Sequence, residues 1–180
     1  MINRKKFFDG IRQQPFPNKL TAGQVKGITF ILDEWERREW KDLRWLAYML
    51  ATTKWETAHT MLPISEFGGK TKRYAPWYGR GFVQLTWKRN YEAMRQGVLD
   101  LTGLDIVANP EDAKDMNAAA YIMFEGMLEG TFTTKKLGDY FNDRVTDWFN
   151  ARKIINGLDK AAQIASIAKQ FYADLVEASK

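Results

Sequence analysis

Apolar residues recurring at three- and four-residue steps between capping signals constrain this chain most, because a 3.6-residue period buries one face of a helix and no face of a strand. Thr21-Ala22-Gly23-Gln24 reads as a capping box, in which a threonine and a glutamine three residues later satisfy each other's exposed backbone N–H groups. The helix it opens should run to about Arg38, with Val25, Ile28, Ile31, Leu32 and Trp35 on its buried face. Asp42 can cap a second helix ending near His59, with Leu43, Leu46, Ala47, Leu50 and Ala51 as its buried stripe and Glu56 in its last turn. Asn109-Pro110-Glu111-Asp112 predicts another start, with asparagine as cap, proline in the first turn and acids matched to the helix dipole, and a helix to about Leu128. Further helices are expected from near Thr134, from Arg144 to Ile155 with Asn156-Gly157 as a left-handed stop, and from Asp159 to about Ala178. In the last of these, Ala161, Ile164, Ala165, Ala168, Phe171, Tyr172 and Leu175 share a face, which reads as a docked terminal helix.

From Thr60 to Arg80 the periodicity fails, broken by Pro63, Gly68-Gly69, Pro76 and Gly79, and long loops of this kind in compact domains tend to be functional. Strand alternation is confined to Gly81-Phe82-Val83-Gln84-Leu85-Thr86. The chain of 180 residues shows no internal repeat or linker and fits one domain spanning 1–180. The expected class is therefore all-α, a compact helical domain with one long loop and at most a very small β element.

The absence of cysteine excludes disulfides, thiolate nucleophiles and cysteine-based metal sites. With His59 the only histidine, a histidine-ligated metal centre or a Ser-His-Asp triad would have to pass through that one residue, so neither a metal nor an organic cofactor is expected. No segment has the apolar length of a signal peptide or a membrane span, which predicts a chain made in the cytoplasm without stable membrane insertion. The net charge of +5 favours polyanionic partners, and the basic residues cluster between Lys70 and Arg95, where Glu92 is the only acid. A solvated basic surface, a bacterial envelope and a nucleic acid are all compatible with that charge.

Acid–base chemistry then falls to carboxylates, and cleaving a glycosidic bond needs two, one protonated and one ionised. Glu56 ends a predicted helix beside an indole, at a C-terminus whose dipole disfavours negative charge, which suits a general acid. Glu66 lies in the loop sequence Ile64-Ser65-Glu66-Phe67-Gly68-Gly69, open to water and near Lys70 and Arg73, which suits a base. Two ordinary surface glutamates would fit the same residues.

The sequence Trp77-Tyr78-Gly79-Arg80-Gly81-Phe82-Val83-Gln84-Leu85-Thr86-Trp87-Lys88-Arg89-Asn90-Tyr91 resembles the Tyr-Gly-Arg-Gly-x-x-Gln-Leu-(Ser/Thr)-x-x-x-Asn-Tyr signature of family 19 chitinases and the phage endolysins related to them. Upstream, Trp55-Glu56-Thr57-Ala58 is similar to that family's His-Glu-Thr segment, and downstream Ile154-Ile155-Asn156-Gly157 and Asn109-Pro110 resemble two further segments of it. The likeness extends from about residue 43 to 175, and the short form without disulfides is that of the endolysins.

The resemblance implies a lysozyme-like fold with no separate cell-wall-binding module. It also implies a muramidase cutting the glycan strands of peptidoglycan by single displacement. Glu56 would be the acid and Glu66 the second carboxylate, with Thr86 holding the attacking water and Gln84 and Asn90 contacting sugar. Thr86 as the cap of a helix beginning at Trp87 is the competing assignment. Tyr78 and Trp77 can stack on sugar rings or pack in the core, Asn156 can touch substrate or end a helix, and Arg80 can be a structural ion pair. His59 is read as structural, with tuning of the acid as its other possible role. The expected protein is a monomer that accumulates in a host cytoplasm and reaches the wall through a separate pore. A chitinase acting on N-acetylglucosamine polymers is the alternative within the same class. A noncatalytic module binding cell wall or nucleic acid is the alternative outside it, and of these partners nucleic acid is not expected.

Overall fold

Seven α-helices and a two-stranded sheet make up most of the regular structure among the described residues, 1–17 and 19–180, of the computed structural model. Helix α1 (Arg4–Ile11) carries little sequence signal beyond its cap, Asn3, which accepts from Lys6 N at 3.0 Å. Helix α2 (Ala22–Arg37) has both halves of its capping box, Gln24 N donating to Thr21 Oγ1 at 3.1 Å and Thr21 N to Gln24 Oε1 at 2.9 Å. Ile28, Ile31, Leu32 and Trp35 form its buried face and Val25 packs at the margin.

Helix α3 (Leu43–Glu56) starts at Asp42, whose carboxylate accepts from Arg44 N at 3.0 Å. The predicted stripe understates its burial, because every residue from Leu46 to Lys54 is buried. A helix that is covered all round is a core helix, and the others are packed about it. Helix α4 (Lys88–Thr102) follows the loop region, and α5 (Met116–Glu129), rich in alanine and methionine, packs against it and is the second largely buried helix. Helix α6 (Leu137–Tyr140) is a single turn. Helix α7 (Ala161–Ala178) lies along α3, the most extensive helix pairing in the molecule, and α1 packs on its other side. Phe171 joins these layers, its ring centroid 6.4 Å from that of Phe7 and 6.1 Å from that of Phe16. Asn3 N donates to Ala178 O at 2.8 Å, which ties the two ends of the chain together.

Several expected helices take a different form. Asn109 does not cap a helix reaching Leu128; Pro110–Lys114 is a 3-10 turn, and α5 begins afresh because Asp115 accepts from Asn117 N and Ala118 N at 2.9 and 3.1 Å. The start near Thr134 moves to Leu137, since Thr134 is left-handed at φ 72°. From Arg144 to Ile155 only Asn150–Ile154 is helical, again as a 3-10 turn. Asn142 Oδ1 takes the N–H groups of Arg144 and Val145, and Asp147 Oδ1 takes that of Asn150, so side chains compete with the helical ladder. Neither Asn156 nor Gly157 is left-handed; the residue that turns the chain into α7 is Lys160 at φ 60°.

Candidate active site

The end of α3 is fixed from several directions. Thr57 Oγ1 donates to Thr53 O at 2.7 Å and accepts from Met61 N at 3.1 Å, while Ala58, His59 and Met61 adopt left-handed φ values of 48°, 68° and 58° to reverse the chain. Helix α2 backs directly onto this turn. Gln24 Nε2 donates to His59 O at 2.9 Å, and a Cβ at Gly27 would stand 1.7 Å from Met61 O, so only glycine allows that approach. Glu56, immediately before the turn, is thereby held on rigid backbone.

Strand β1 (Ile64–Ser65) pairs antiparallel with β2 (Arg80–Gly81), Ile64 opposite Gly81 and Ser65 opposite Arg80. The predicted strand over Gly81–Thr86 does not continue. After Gly81 the chain doubles back, with Gln84 at φ 54° and Leu85 bridged to Arg80. Phe82, Val83 and Leu85 are all buried, so the fold-back turns adjacent side chains into the core rather than alternating them between core and solvent.

These elements enclose an open cleft of about 620 Å³ whose walls include both predicted carboxylates, Glu56 and Glu66, together with Gln84, Thr86 and Asn156. Glu56 Oε1 accepts from Arg152 Nη1 at 2.6 Å, and no protein group bonds Oε2 among the described residues. Trp55, the neighbouring indole, packs against the core and does not line the cleft. Glu66, on the same cleft, is gripped at both oxygens, Oε1 accepting from Tyr74 OH at 2.9 Å and Oε2 from Gly79 N at 3.1 Å. The cation nearest it is Lys72, with Nζ 3.9 Å from Oε1, and not Lys70 or Arg73. Burial, followed by the bond to Glu66, raises the Tyr74 phenol above its usual value, so Tyr74 stays a donor.

Thr86 lines the cleft and is not the cap of α4; that position is Trp87, and Thr86 Oγ1 donates to Gln84 O at 2.7 Å. With its proton so used, the hydroxyl offers the cleft acceptor lone pairs. Gln84 spends its amide hydrogens on Ile64 O and Gly81 O at 3.0 and 3.2 Å, leaving Oε1. Asn156 is exposed on the cleft wall.

Trp77, Tyr78, Arg80 and Asn90 of the quoted signature stretch lie elsewhere. Asn90 is buried, donates to Thr86 O at 2.9 Å and shapes the loop from behind the cleft. Tyr78 is buried under the Arg80 guanidinium, 3.6 Å from the ring centroid, and its edge faces a neighbouring cavity of about 550 Å³ that shares Ser65 and Glu66 with the cleft. Trp77 packs on Tyr91. Arg80 is structural, its guanidinium 3% exposed and bonded to Glu111 at 2.7 Å, Tyr91 OH and Pro76 O. Lys114 and then Arg80 hold the Glu111 carboxyl down to about 2. His59 is exposed and contacts Lys54 rather than Glu56.

Arg152 and Tyr74 carry no sequence signal that marks them for the cleft, and only the structure shows that Trp87 forms its aromatic face. Arg152 stands two residues before the Ile154–Gly157 segment, where a lone arginine carries no spacing signal, and is 4% exposed. Trp87 lines the cleft, 41% exposed, with Tyr74 4.9 Å and the Arg73 guanidinium 5.6 Å from its ring. Among the described residues no cluster of three or more His, Cys, Asp or Glu side chains could hold a metal ion, and no helix is long and apolar enough to cross a membrane. No family model and no curated protein matches the chain.

Proposed function

We propose that this protein hydrolyses the glycan strands of bacterial peptidoglycan as a muramidase, acting between N-acetylmuramic acid and N-acetylglucosamine. The observation that carries the reading is the placing of Glu56 and Glu66 on one open cleft, with a threonine hydroxyl, an exposed indole and an exposed amide beside them. Glycoside hydrolysis by single displacement needs two carboxylates on one substrate and room for a water between the second of them and the sugar.

In this mechanism Glu56 donates its proton to the leaving oxygen through Oε2, the oxygen that Arg152 leaves free. Glu66 is the base, its orientation set by Tyr74 and Gly79, and Thr86 accepts a hydrogen bond from the attacking water so that the water is held for deprotonation. Trp87 supplies an apolar face for a sugar ring, and Asn156 and Gln84 Oε1 supply polar contacts. The motif resemblance to the family 19 endolysins points to the same assignment for Glu56, Glu66 and Thr86. On this reading the chain is made in a host cytoplasm, acts alone and without a cofactor, and meets the wall after release through a separate pore.

The test is mass spectrometry of fragments released from purified Gram-negative peptidoglycan by wild type, Glu56→Gln and Glu66→Gln. Hydrated muropeptides with reducing N-acetylmuramic ends from wild type, and at least a hundredfold less from either variant, are expected. Reducing N-acetylglucosamine ends would replace the muramidase with a glucosaminidase. Release of no fragments, with cleavage of chitin oligomers instead, would make the protein a chitinase.

A further inference from the structure

Lys54 and Glu56 are two residues apart on α3, about 200° around the helix axis, so they serve different sides of it. While Glu56 faces the catalytic cleft, Lys54 lines a separate concavity of about 430 Å³ walled by Pro15, Phe16, Pro17 and His59, with Lys19 at its rim. The two cavities have no lining residue in common.

Lys54 is 5% exposed, yet no carboxylate pairs with it among the described residues. Its Nζ lies 3.3 Å from His59 Nδ1 and 4.9 Å from the centroid of the Phe16 ring. An ammonium group has three donors, so this arrangement leaves hydrogen-bonding capacity directed at the concavity. A buried cation without a counter-charge is costly, and burial accordingly holds the Lys54 amine below the usual lysine range. Although the residue is exposed, the His59 imidazole is also lowered from its usual value, first by partial desolvation and then by the Lys54 charge.

We propose that this concavity binds a small organic carboxylate, its charged end on Lys54 Nζ and its apolar body against Phe16, Pro15 and Pro17. One buried amine matches one negative charge. Among the described residues that line it there is no arginine to supply the guanidinium fork that recognises phosphate. Gln24 is no competitor for the ligand, since its side chain is already bonded to His59 O and Thr21 N. The site is independent of the hydrolytic reading, because no residue of the catalytic cleft takes part.

His59 is the only histidine, so its imidazole gives one set of NMR resonances that reports on this cavity alone. Titration with N-acetylglycine at constant ionic strength should shift those resonances saturably. Neutral N-acetylglycinamide and inorganic phosphate should each bind at least tenfold more weakly, and Lys54→Met should abolish the N-acetylglycine shift. Should Lys54→Met not fold, the side-chain Cε resonance of Lys54 in wild type, labelled on lysine, must move with the same dissociation constant as His59. Equal shifts from the acid and the amide, phosphate binding as tightly as N-acetylglycine, a shift that survives in Lys54→Met, or a Lys54 resonance that stays still would each overturn the proposal.

Discussion

Replacing Arg152 with methionine keeps an unbranched apolar stem in a site 4% exposed, but removes the donor to Glu56 Oε1 at 2.6 Å and, from Nε, the donor to Asp159 O at 3.1 Å. The pair joins side chains 5% and 17% exposed, so Glu56 would be left largely buried without its counter-charge. Removing one partner of a buried pair costs about 3–5 kcal/mol, and the water that still reaches Glu56 favours the lower end of that range. Losing the bond to Asp159 O adds about 1 kcal/mol. The expected destabilisation is about 4 kcal/mol, or a fall in Tm of roughly 10 °C for a domain of this size. Urea unfolding of wild type, Arg152→Met, Glu56→Gln and the double variant closes a thermodynamic cycle. In the double variant no charge is stranded, so it should be more stable than the sum of the single effects implies, with a coupling of about 2 kcal/mol. Single effects that add to within about 0.5 kcal/mol would refute the claim that Arg152 and Glu56 act as a pair.

Tyr74→Phe removes the donor to Glu66 Oε1 but leaves Gly79 N, so stability should change by no more than about 1 kcal/mol, while kcat on peptidoglycan fragments falls about tenfold with KM unchanged. Gly27→Ala sets a Cβ against the Met61 carbonyl, which is backbone and cannot rotate aside, so α2 must move off the turn that fixes Glu56, at a cost of about 3 kcal/mol in urea unfolding. Burial at the α1–α7 interface, where Gly10 closes over the carboxylate, pushes Asp174 up to about 6 from an unfolded value of 3.8. A folded value above the unfolded one gives stability that is complete below about pH 4 and lost as the pH rises through 6. Asp174→Asn should therefore be more stable than wild type at pH 7.5, by about 1 kcal/mol once partial exposure is allowed for, and equal to it at pH 4. A difference that does not vary with pH would show that burial of this charge is not the cause.

Local signals proved reliable where the responsible atoms are neighbours in the chain. The capping box at Thr21, the cap at Asp42, the position of Glu56 at the end of α3 and the apolar face of α7 are all legible, because a cap or a helical stripe depends on residues within one or two turns. Helices expected from Asn109 and Arg144 took other forms where Asp115, Asn142 and Asp147 offered backbone N–H groups a side-chain acceptor, a competition that residue type alone does not resolve. The fold-back at Gln84 likewise depends on burial of Phe82, Val83 and Leu85 in a core supplied by distant segments.

The sequence by itself therefore determined a helical domain with a long loop and marked two carboxylates for it. Tertiary structure decided which residues face one another: it brought Arg152 to Glu56 across 96 positions and set Tyr74 and Gly79 on Glu66. It also withdrew Asn90 and Tyr78 from the cleft and left Lys54 buried without an acid. The physical reason is that helix signals arise from contacts a few residues apart, whereas a site is made of contacts between segments whose meeting is fixed only when the core has closed.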